Sequence, residues 1–94
     1  MRPSEVLRTR REELRSIVRA HGVENPRIFG SVARGTDTAE SDLDLLVAVP
    51  QGAALGFLQL AESLSTQLGV KVDVVSEKGL RGPYRQILEE AVPV

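Results

Sequence analysis

Two aspartates that stand two residues apart are the residues of this sequence best suited to chemistry. Asp42 and Asp44 begin a run in which apolar residues alternate, a pattern typical of a β-strand. Side chains on a strand alternate between its two faces, so both carboxylates point to one side, roughly 7 Å apart. Carboxylates held so close repel each other, and a divalent cation that binds both removes the repulsion. The pair therefore indicates a metal site, although aspartates in such places also serve as turn or capping residues.

A third aspartate, Asp73, lies inside the later valine-rich run at 70–75. Aspartate is unfavourable in strands, so its presence there needs a reason. One reason is a third metal ligand, on a neighbouring strand and on the same face as the first two. Carboxylates that bridge two Mg²⁺ ions about 4 Å apart support phosphoryl and nucleotidyl transfer. The structural alternative is a charge that keeps an edge strand from pairing with other molecules.

A glycine and a serine follow the short apolar segment 27–29, at a predicted turn. Gly30 allows the backbone to approach a ligand closely, and the Ser31 hydroxyl can donate a hydrogen bond to a phosphate oxygen. Arg34 lies one helical turn further on, where it could bind a leaving pyrophosphate. Taken singly, these residues are typical of an ordinary turn and a surface arginine. In this order, and beside the three aspartates, they indicate a metal-dependent nucleotide site.

Hydrophobic periodicity predicts the elements that position these residues. Ser4 is the expected N-cap of a first helix that reaches about His21, where the imidazole is expected to meet the last carbonyls. Residues 36–41 are predicted to be an exposed loop, and Leu58 is expected on the inner face of the second long helix. The other predicted elements are a strand at 27–29, a helical turn at 32–34, a strand at 43–49, a helix at 54–68, a strand at 70–75 and a last helix from Pro83, with Tyr84 on its inner face.

This order of elements predicts an α/β (α+β) fold, a small mixed β-sheet with helices packed on one face. The helix between the second and third strands suggests that these two run parallel or lie close together. The aspartates are then expected on the open face. With 94 residues, the chain is expected to be a single domain, 1–94, with a thin core.

Composition argues against several classes of protein. A formal net charge of -1 disfavours broad nucleic-acid binding, and the absence of cysteine excludes disulfides and thiolate metal sites. No apolar run approaches membrane-spanning length and the N-terminus is too polar for a signal peptide, so a cytoplasmic protein is expected. The first helix is rich in arginine, which indicates either a solvated face or a docking surface for an acidic partner. The arginines of this first segment are Arg2, Arg8, Arg10, Arg11, Arg15 and Arg19.

The pattern Gly30-Ser31-x-x-Arg34-Gly35, followed by Ser41-Asp42-x-Asp44-Leu45 and by Asp73 on a later strand, resembles the minimal nucleotidyltransferases of the DNA polymerase beta-like superfamily. The resemblance implies the nucleotidyltransferase fold and transfer of a nucleoside monophosphate, with ATP the expected donor, to a hydroxyl with the help of two Mg²⁺ ions. By matching position, Gly30, Ser31 and Arg34 would hold the triphosphate. Asp42 and Asp44 would bind both metals, and Asp73 would bind the catalytic metal and could act as the base.

Proteins of this minimal type are commonly antitoxins whose partner is a HEPN-domain toxin. The resemblance therefore implies transfer of AMP from ATP to a hydroxyl of such a toxin, expected to be that of a tyrosine. The segment 85–94 is also similar to the C-terminal end of these antitoxins. Two alternatives remain open: a catalytically silent antitoxin that neutralises its toxin by binding alone, and transfer to a small molecule such as an aminoglycoside. The latter is disfavoured because those relatives carry an additional domain.

Overall fold

The computed structural model describes residues 1–78 and 85–94, which form four helices and four strands. In chain order the elements are α1 (Pro3–Ala20), β1 (Glu24–Phe29), α2 (Gly30–Arg34), β2 (Leu43–Ala48), α3 (Ala54–Leu68), β3 (Val72–Ser76), α4 (Arg85–Glu90) and β4 (Val92–Pro93). The predicted sequence of helices and strands is confirmed for these residues, with β4 as an addition. The predicted start of the last helix at Pro83, and Tyr84, lie outside the described residues.

The strands form one mixed sheet in the order β3-β2-β1-β4. β1 runs antiparallel to both β2 and β4, whereas β2 and β3 run parallel. Helix α3 makes the crossover that two parallel neighbours require. The predicted mixed sheet and the parallel pair are therefore confirmed. In the described part of the chain, no helix is both long and apolar enough to cross a membrane.

The hydrophobic core lies between one face of this sheet and helices α1 and α3. The predicted inner face of β2 is confirmed, because Leu43, Leu45 and Val47 are all fully buried. In α3 the prediction for Leu58 was wrong: this side chain is 74% exposed, and Leu60 is buried instead. The first half of α3 carries apolar residues on more than one face, so periodicity alone did not decide which stripe packs inward.

The opposite face of the sheet is partly covered, not fully open as expected. Leu46 is completely buried there, although it does not belong to the main core cluster. Its neighbours in the sheet are Arg27 of β1 and Val75 of β3, and sheet neighbours in register project to the same side. Arg27 also donates to Glu77 at 2.5 Å, so this ion pair crosses β2 beside Leu46. Among residues 1–78 and 85–94, the pair covers Leu46 and leaves the part of this face around Asp44 for a site.

The N-terminus of α1 is capped by a residue from elsewhere in the chain. The predicted Ser4 cap is wrong, because the helix begins at Pro3. Instead, the Asp37 carboxylate accepts a hydrogen bond from the Ser4 backbone N–H at 2.9 Å. Asp37 is 6% exposed, so its loop is not fully exposed as predicted. Burial acts to raise the pKa of Asp37, but hydrogen bonds from Ser4 and the charge of Arg2 outweigh it and leave the pKa below its usual range.

We expect Asp37→Ala to lower the free energy of unfolding by about 1–2 kcal/mol, as loss of a helix N-cap does. Because folding depresses the pKa, this stabilisation is complete above the unfolded-state pKa, about 3.9, and is lost as pH falls through the lower folded value. Urea denaturation at neutral and acidic pH measures both effects. Asp37→Asn keeps an acceptor oxygen for the Ser4 N–H, so it should lose less stability than Asp37→Ala. An Ala variant as stable as the unmodified protein at neutral pH would contradict the capping role.

The end of α1 packs closely against the start of α3. The His21 ring contacts the Ile17 carbonyl oxygen at 2.8 Å, which confirms its expected place at the end of the helix, and Ser63 Oγ at 3.0 Å. The carbonyl of His21 lies over Gly56 of α3. A Cβ at position 56 would be 2.0 Å from that oxygen and 2.9 Å from its carbon, so glycine is the only residue that fits.

Gly56→Ala should therefore destabilise the protein, although the same change in an open helix stabilises by about 1 kcal/mol. We expect a loss of about 1–3 kcal/mol, because α3 must move away from α1. Thermal or urea unfolding gives the sign directly. Thr66→Ala, at an exposed position of the same helix, is the control and should not lower stability. A more stable Gly56→Ala protein would show that the two helices separate without cost.

Candidate active site

The sheet brings the three predicted aspartates to one face. Asp44 of β2 stands opposite Asp73 of β3 in the parallel register and opposite Phe29 of β1 on the other side. Side chains at such paired positions project to the same side. Asp42 lies two residues before Asp44, just ahead of β2, and therefore shares this face. The predicted juxtaposition of the aspartates is present in the fold.

The electrostatics of this cluster are those of carboxylates that repel one another. Burial raises the pKa of Asp44, and the charges of Asp73, Asp42 and Glu90 raise it further, while Arg34 acts in the opposite direction. Asp42 has a cationic neighbour, since its Oδ2 lies 3.7 Å from the Lys71 ammonium. That lysine is largely exposed, so the pair contributes little. The cluster therefore carries an excess of negative charge.

Gly30 joins the glycine–serine turn to the aspartate cluster. Its φ is +71°, in the left-handed region that favours glycine, and it is the first residue of α2. A Cβ at this position would lie 2.3 Å from Asp44 Oδ2 and 3.2 Å from Asp44 Cγ. The predicted approach was that of a ligand; what the structure shows at Gly30 is the close approach of a carboxylate of the protein itself. The helical turn predicted at 32–34 is confirmed as part of α2, which ends at Gly35 with φ +75°.

A glutamate occupies the donors that were predicted to bind phosphate. One oxygen of Glu90, Oε1, accepts a hydrogen bond from the Gly30 N–H at 2.9 Å and another from Arg34 Nη1 at 2.7 Å. The structure therefore brings Gly30 and Arg34 together as predicted, around an anion that belongs to α4. Sequence reasoning missed Glu90, because it stands 60 residues after Gly30 and no motif or periodicity marks it.

Ser31 and the loop after α2 complete the surroundings of the site. The Ser31 carbonyl accepts the Thr36 N–H at 2.9 Å, and among the described residues its hydroxyl has no hydrogen-bond partner. Further on, Ser41 Oγ accepts the Thr38 N–H at 2.8 Å, while the Ser41 N–H donates to the Thr38 carbonyl at 3.0 Å. This pair of bonds forms a turn directly before Asp42, so the loop delivers the first aspartate in a defined place.

The carboxylates fit a divalent cation by chemistry. Within residues 1–78 and 85–94, no three His, Asp or Glu side chains already enclose a metal position. Even so, Asp42, Asp44 and Asp73 offer the oxygen ligands that Mg²⁺ prefers. The raised pKa of Asp44 reflects its burial and the repulsion of the neighbouring carboxylates, and a bound cation would relieve that repulsion. The donor set therefore suits Mg²⁺, and binding would draw the three side chains together.

A groove of about 340 Å³ lies elsewhere, at the opposite end of β1. It is lined by residues of α1, by the segment from Val23 to Pro26 and by Pro93 and Val94. Gly30 follows the last residue of β1, whereas Glu24 is its first. None of the predicted site residues lines the groove, so it is separate from the aspartate cluster.

Comparison with known proteins identifies relatives over most of the chain. The family described as nucleotidyltransferase domain matches residues 7–94. The protein adenylyltransferase MntA of Thermococcus cleftensis is 37% identical over 93 residues, covering 88% of this chain and 94% of the relative. MJ1379 of Methanocaldococcus jannaschii, a candidate protein adenylyltransferase, is 36% identical over 90 residues, covering 83% of this chain and 90% of the relative.

Two solved structures share the fold. One, described as a candidate minimal nucleotidyltransferase, superposes with a TM-score of 0.82 and 47% identity, over 97% of this chain and 95% of that one. The other, a toxin–antitoxin crystal structure with AMP-PNP, gives a TM-score of 0.71 at 20% identity, over 87% of this chain and 69% of that one. At that identity the second match concerns the fold alone. The fold class predicted from the sequence is confirmed.

Proposed function

Since this chain belongs to the nucleotidyltransferase domain family, we propose that it transfers AMP from ATP to a hydroxyl group of a partner protein, in the presence of Mg²⁺. The chain is a nucleotidyltransferase of the minimal type. Relatives that are protein adenylyltransferases support AMP as the transferred group and a protein as the acceptor. A cytoplasmic location, where ATP is available, is consistent with ATP as the proposed donor.

One observation carries the proposal: Asp44 lies beside Asp73 in the sheet register and directly over Gly30. This brings Asp44, beside Asp73, against the glycine–serine turn, and so supports a common site for the aspartates and the turn. The arrangement supports a nucleotide whose phosphates lie near α2 and whose reacting phosphorus lies near the aspartates.

In the proposed reaction an acceptor oxygen attacks the α-phosphorus of ATP. The bond from that phosphorus to the oxygen that bridges to the β-phosphate breaks, and pyrophosphate leaves. The Gly30 N–H and the Arg34 guanidinium would bind oxygens of the leaving pyrophosphate, with the Ser31 hydroxyl as a further donor. Asp73 is exposed on the edge strand β3. An acceptor hydroxyl could approach it there and transfer its proton to the Asp73 carboxylate.

Asp42, Asp44 and Asp73 would hold the two Mg²⁺ ions. When bound, such ions neutralise the carboxylates and the triphosphate and stabilise the charge that develops on the transferring phosphoryl group. Without them, the negative cluster around Asp44 would repel the nucleotide. The proposed activity therefore requires a divalent cation, and a chelator should abolish it.

For the partner we propose a toxin of the HEPN class and, as acceptor, one of its tyrosine hydroxyls. The toxin–antitoxin structure with the same fold, bound to an ATP analogue, supports a toxin partner. The resemblance noted in the sequence adds the HEPN class and the tyrosine. In α1, Arg10 and Arg15 form ion pairs with Glu13 and Glu12 of the same helix. An acidic partner would therefore meet chiefly the exposed Arg8 and Arg19.

A second candidate function is neutralisation by binding alone. Glu90 occupies Gly30 and Arg34, the donors proposed for the triphosphate, which favours a protein that has given up nucleotide binding. A double variant, Asp42→Asn with Asp44→Asn, separates the two functions. If it still neutralises the toxin, binding alone is sufficient. If neutralisation is lost while the complex still forms, catalysis is required.

The proposal is tested with ATP labelled at either the α- or the γ-phosphate. The chain is incubated with Mg²⁺ and a lysate of its source cells, or with a purified candidate toxin. Label that enters one protein from the α-position but not from the γ-position supports AMP transfer, and mass spectrometry then locates the modified residue. Transfer from the γ-position would indicate phosphorylation instead. A stable complex without label from either position would contradict the enzymatic proposal.

A further inference from the structure

We propose that Glu90 competes with the nucleotide for the phosphate-binding donors and so sets nucleotide affinity. The inference rests on the proposed function and deepens it. In the free protein the Glu90 carboxylate holds the Gly30 N–H and Arg34. A triphosphate must displace that carboxylate before it can use the Gly30 N–H and the Arg34 Nη1 that converge on it.

The contact has the chemistry of phosphate recognition. A backbone N–H and a guanidinium group that converge on one oxygen are donors that proteins commonly use for phosphate. Here both converge on a single oxygen of Glu90, at 2.9 Å and 2.7 Å. Since a carboxylate and a phosphate are both anions with acceptor oxygens, the two groups compete for this place and cannot occupy it together.

The charges around Glu90 make this contact easy to exchange. Glu90 lies close enough to Asp44 for its charge to disfavour the ionised form of that aspartate. A fourth carboxylate beside three aspartates is unfavourable, and its compensation comes from Arg34, whose side chain is 56% exposed. An incoming phosphate would take over Arg34 and release Glu90 to solvent.

The helix that carries Glu90 can move without disrupting the core. None of the residues of α4 is buried. The next element, β4, pairs with β1, and the Val94 N–H donates to the Pro26 carbonyl at 3.1 Å. The side chain of Val94 is buried in the core cluster. The chain is thus anchored after α4, and Glu90 can leave Gly30 while β4 stays in the sheet.

Nucleotide binding by substituted proteins tests this inference. The probe is α,β-methylene-ATP with Mg²⁺, which cannot transfer AMP, and calorimetry gives its Kd for the full chain. Glu90→Gln weakens the competitor, because it keeps an acceptor oxygen but loses the charge paired with Arg34. Binding should tighten by up to about tenfold, the factor expected if only about one molecule in ten is free of the contact. Glu89→Gln removes the same charge from an exposed neighbour and should change the Kd by less than about twofold.

A charge-conserving variant separates competition from general repulsion. Glu90→Asp keeps the negative charge but is one methylene shorter, so it should lose its hold on Gly30 and Arg34 and also bind the probe more tightly. If only Glu90→Gln tightens binding, the effect is general charge repulsion and the competition is overturned. Binding equal to or weaker than that of the unmodified protein in both Glu90 variants overturns it as well.

These outcomes differ from failure of the proposed function. If the unmodified protein binds the probe and the Glu90 variants do not bind it better, only the role of Glu90 is overturned. If neither the unmodified protein nor any folded variant binds the probe, the ATP-dependent activity fails, and the competition fails with it. Circular dichroism of each variant establishes that it is folded.

Discussion

Asp44→Asn should abolish AMP transfer and, at neutral pH, make the nucleotide-free protein more stable. Asp44 is at the centre of the aspartate cluster, between Asp73 and the Gly30 backbone. Loss of a carboxylate that binds metal should remove several kcal/mol of transition-state stabilisation, which corresponds to at least about a thousandfold in rate. The substitution keeps the shape of the side chain, so the fold should be retained.

The gain in stability follows from the direction of the Asp44 pKa. Burial and the neighbouring carboxylates raise this pKa above its usual range. The ionised form is therefore less favourable in the fold than in the unfolded chain. The contribution of Asp44 to the free energy of unfolding is greatest below the ordinary aspartate pKa of about 3.9. It decreases as the pH rises through the higher pKa that Asp44 has in the folded protein. At neutral pH, Asp44→Asn should therefore stabilise the fold, because the uncharged amide removes the unfavourable ionised carboxylate.

Two measurements on one variant check this prediction. Labelled AMP transfer gives the rate, and urea denaturation without Mg²⁺ gives the free energy of unfolding. Glu40→Gln, in the loop before the cluster, removes an equal charge and is the control for general electrostatics. Transfer within tenfold of the unmodified protein would remove Asp44 from the proposed catalytic group. If Asp44→Asn is less stable than the unmodified protein, the ionised Asp44 carboxylate stabilises the nucleotide-free fold, contrary to the prediction.

Gly30→Ala should have the second-largest effect, because it disrupts both the backbone and the site. The left-handed conformation costs a non-glycine residue about 1–2 kcal/mol. In addition, the new methyl group would stand 2.3 Å from Asp44 Oδ2, so the carboxylate must move. We expect AMP transfer to fall by on the order of a hundredfold or more, since even small displacements of reacting groups cost this much.

A matched control isolates the close approach from the backbone strain. Gly69, which ends α3, has φ +74°, close to the +71° of Gly30, but a Cβ there would meet nothing within 4 Å. Gly69→Ala should therefore lose only the strain, about 1–2 kcal/mol, and retain transfer. Equal loss of stability and full activity in both alanine variants would mean that the Asp44 carboxylate is not confined by Gly30.

The parts of the structure that could be predicted are those set by neighbours in the sequence. The bounds of α3, Ala54–Leu68, agree with the prediction because Pro50 and Gly52 precede the periodic run and Gly69 ends it. The alternation of β2 likewise placed Leu43, Leu45 and Val47 in the core. Asp44 of β2 and Asp42, just ahead of it, could be assigned to a common face because a strand has a period of two residues. The types and spacing of neighbouring residues were sufficient to predict each of these features.

The parts that could not be predicted depend on partners distant in the chain. Asp37 lies 33 residues from the Ser4 N–H that it accepts, and Glu90 lies 60 residues from Gly30. Neither belongs to a periodic pattern, and either could equally be a solvated surface acid. Strand β4 has two residues and owes its existence to pairing with β1. Such features follow from the assembled fold, which local spacing does not encode.

The absence of buried residues in α4 has a consequence for how the protein opens under native conditions. Most of the apolar burial belongs to α1, α3 and the sheet, so little of the unfolding free energy protects α4. Local opening of such a segment is far more frequent than global unfolding. Amide hydrogens of residues 87–90 should accordingly exchange with deuterium well before those of the central strands β1 and β2. The frequency of that opening would set an upper limit on how fast a ligand could enter between α2 and α4.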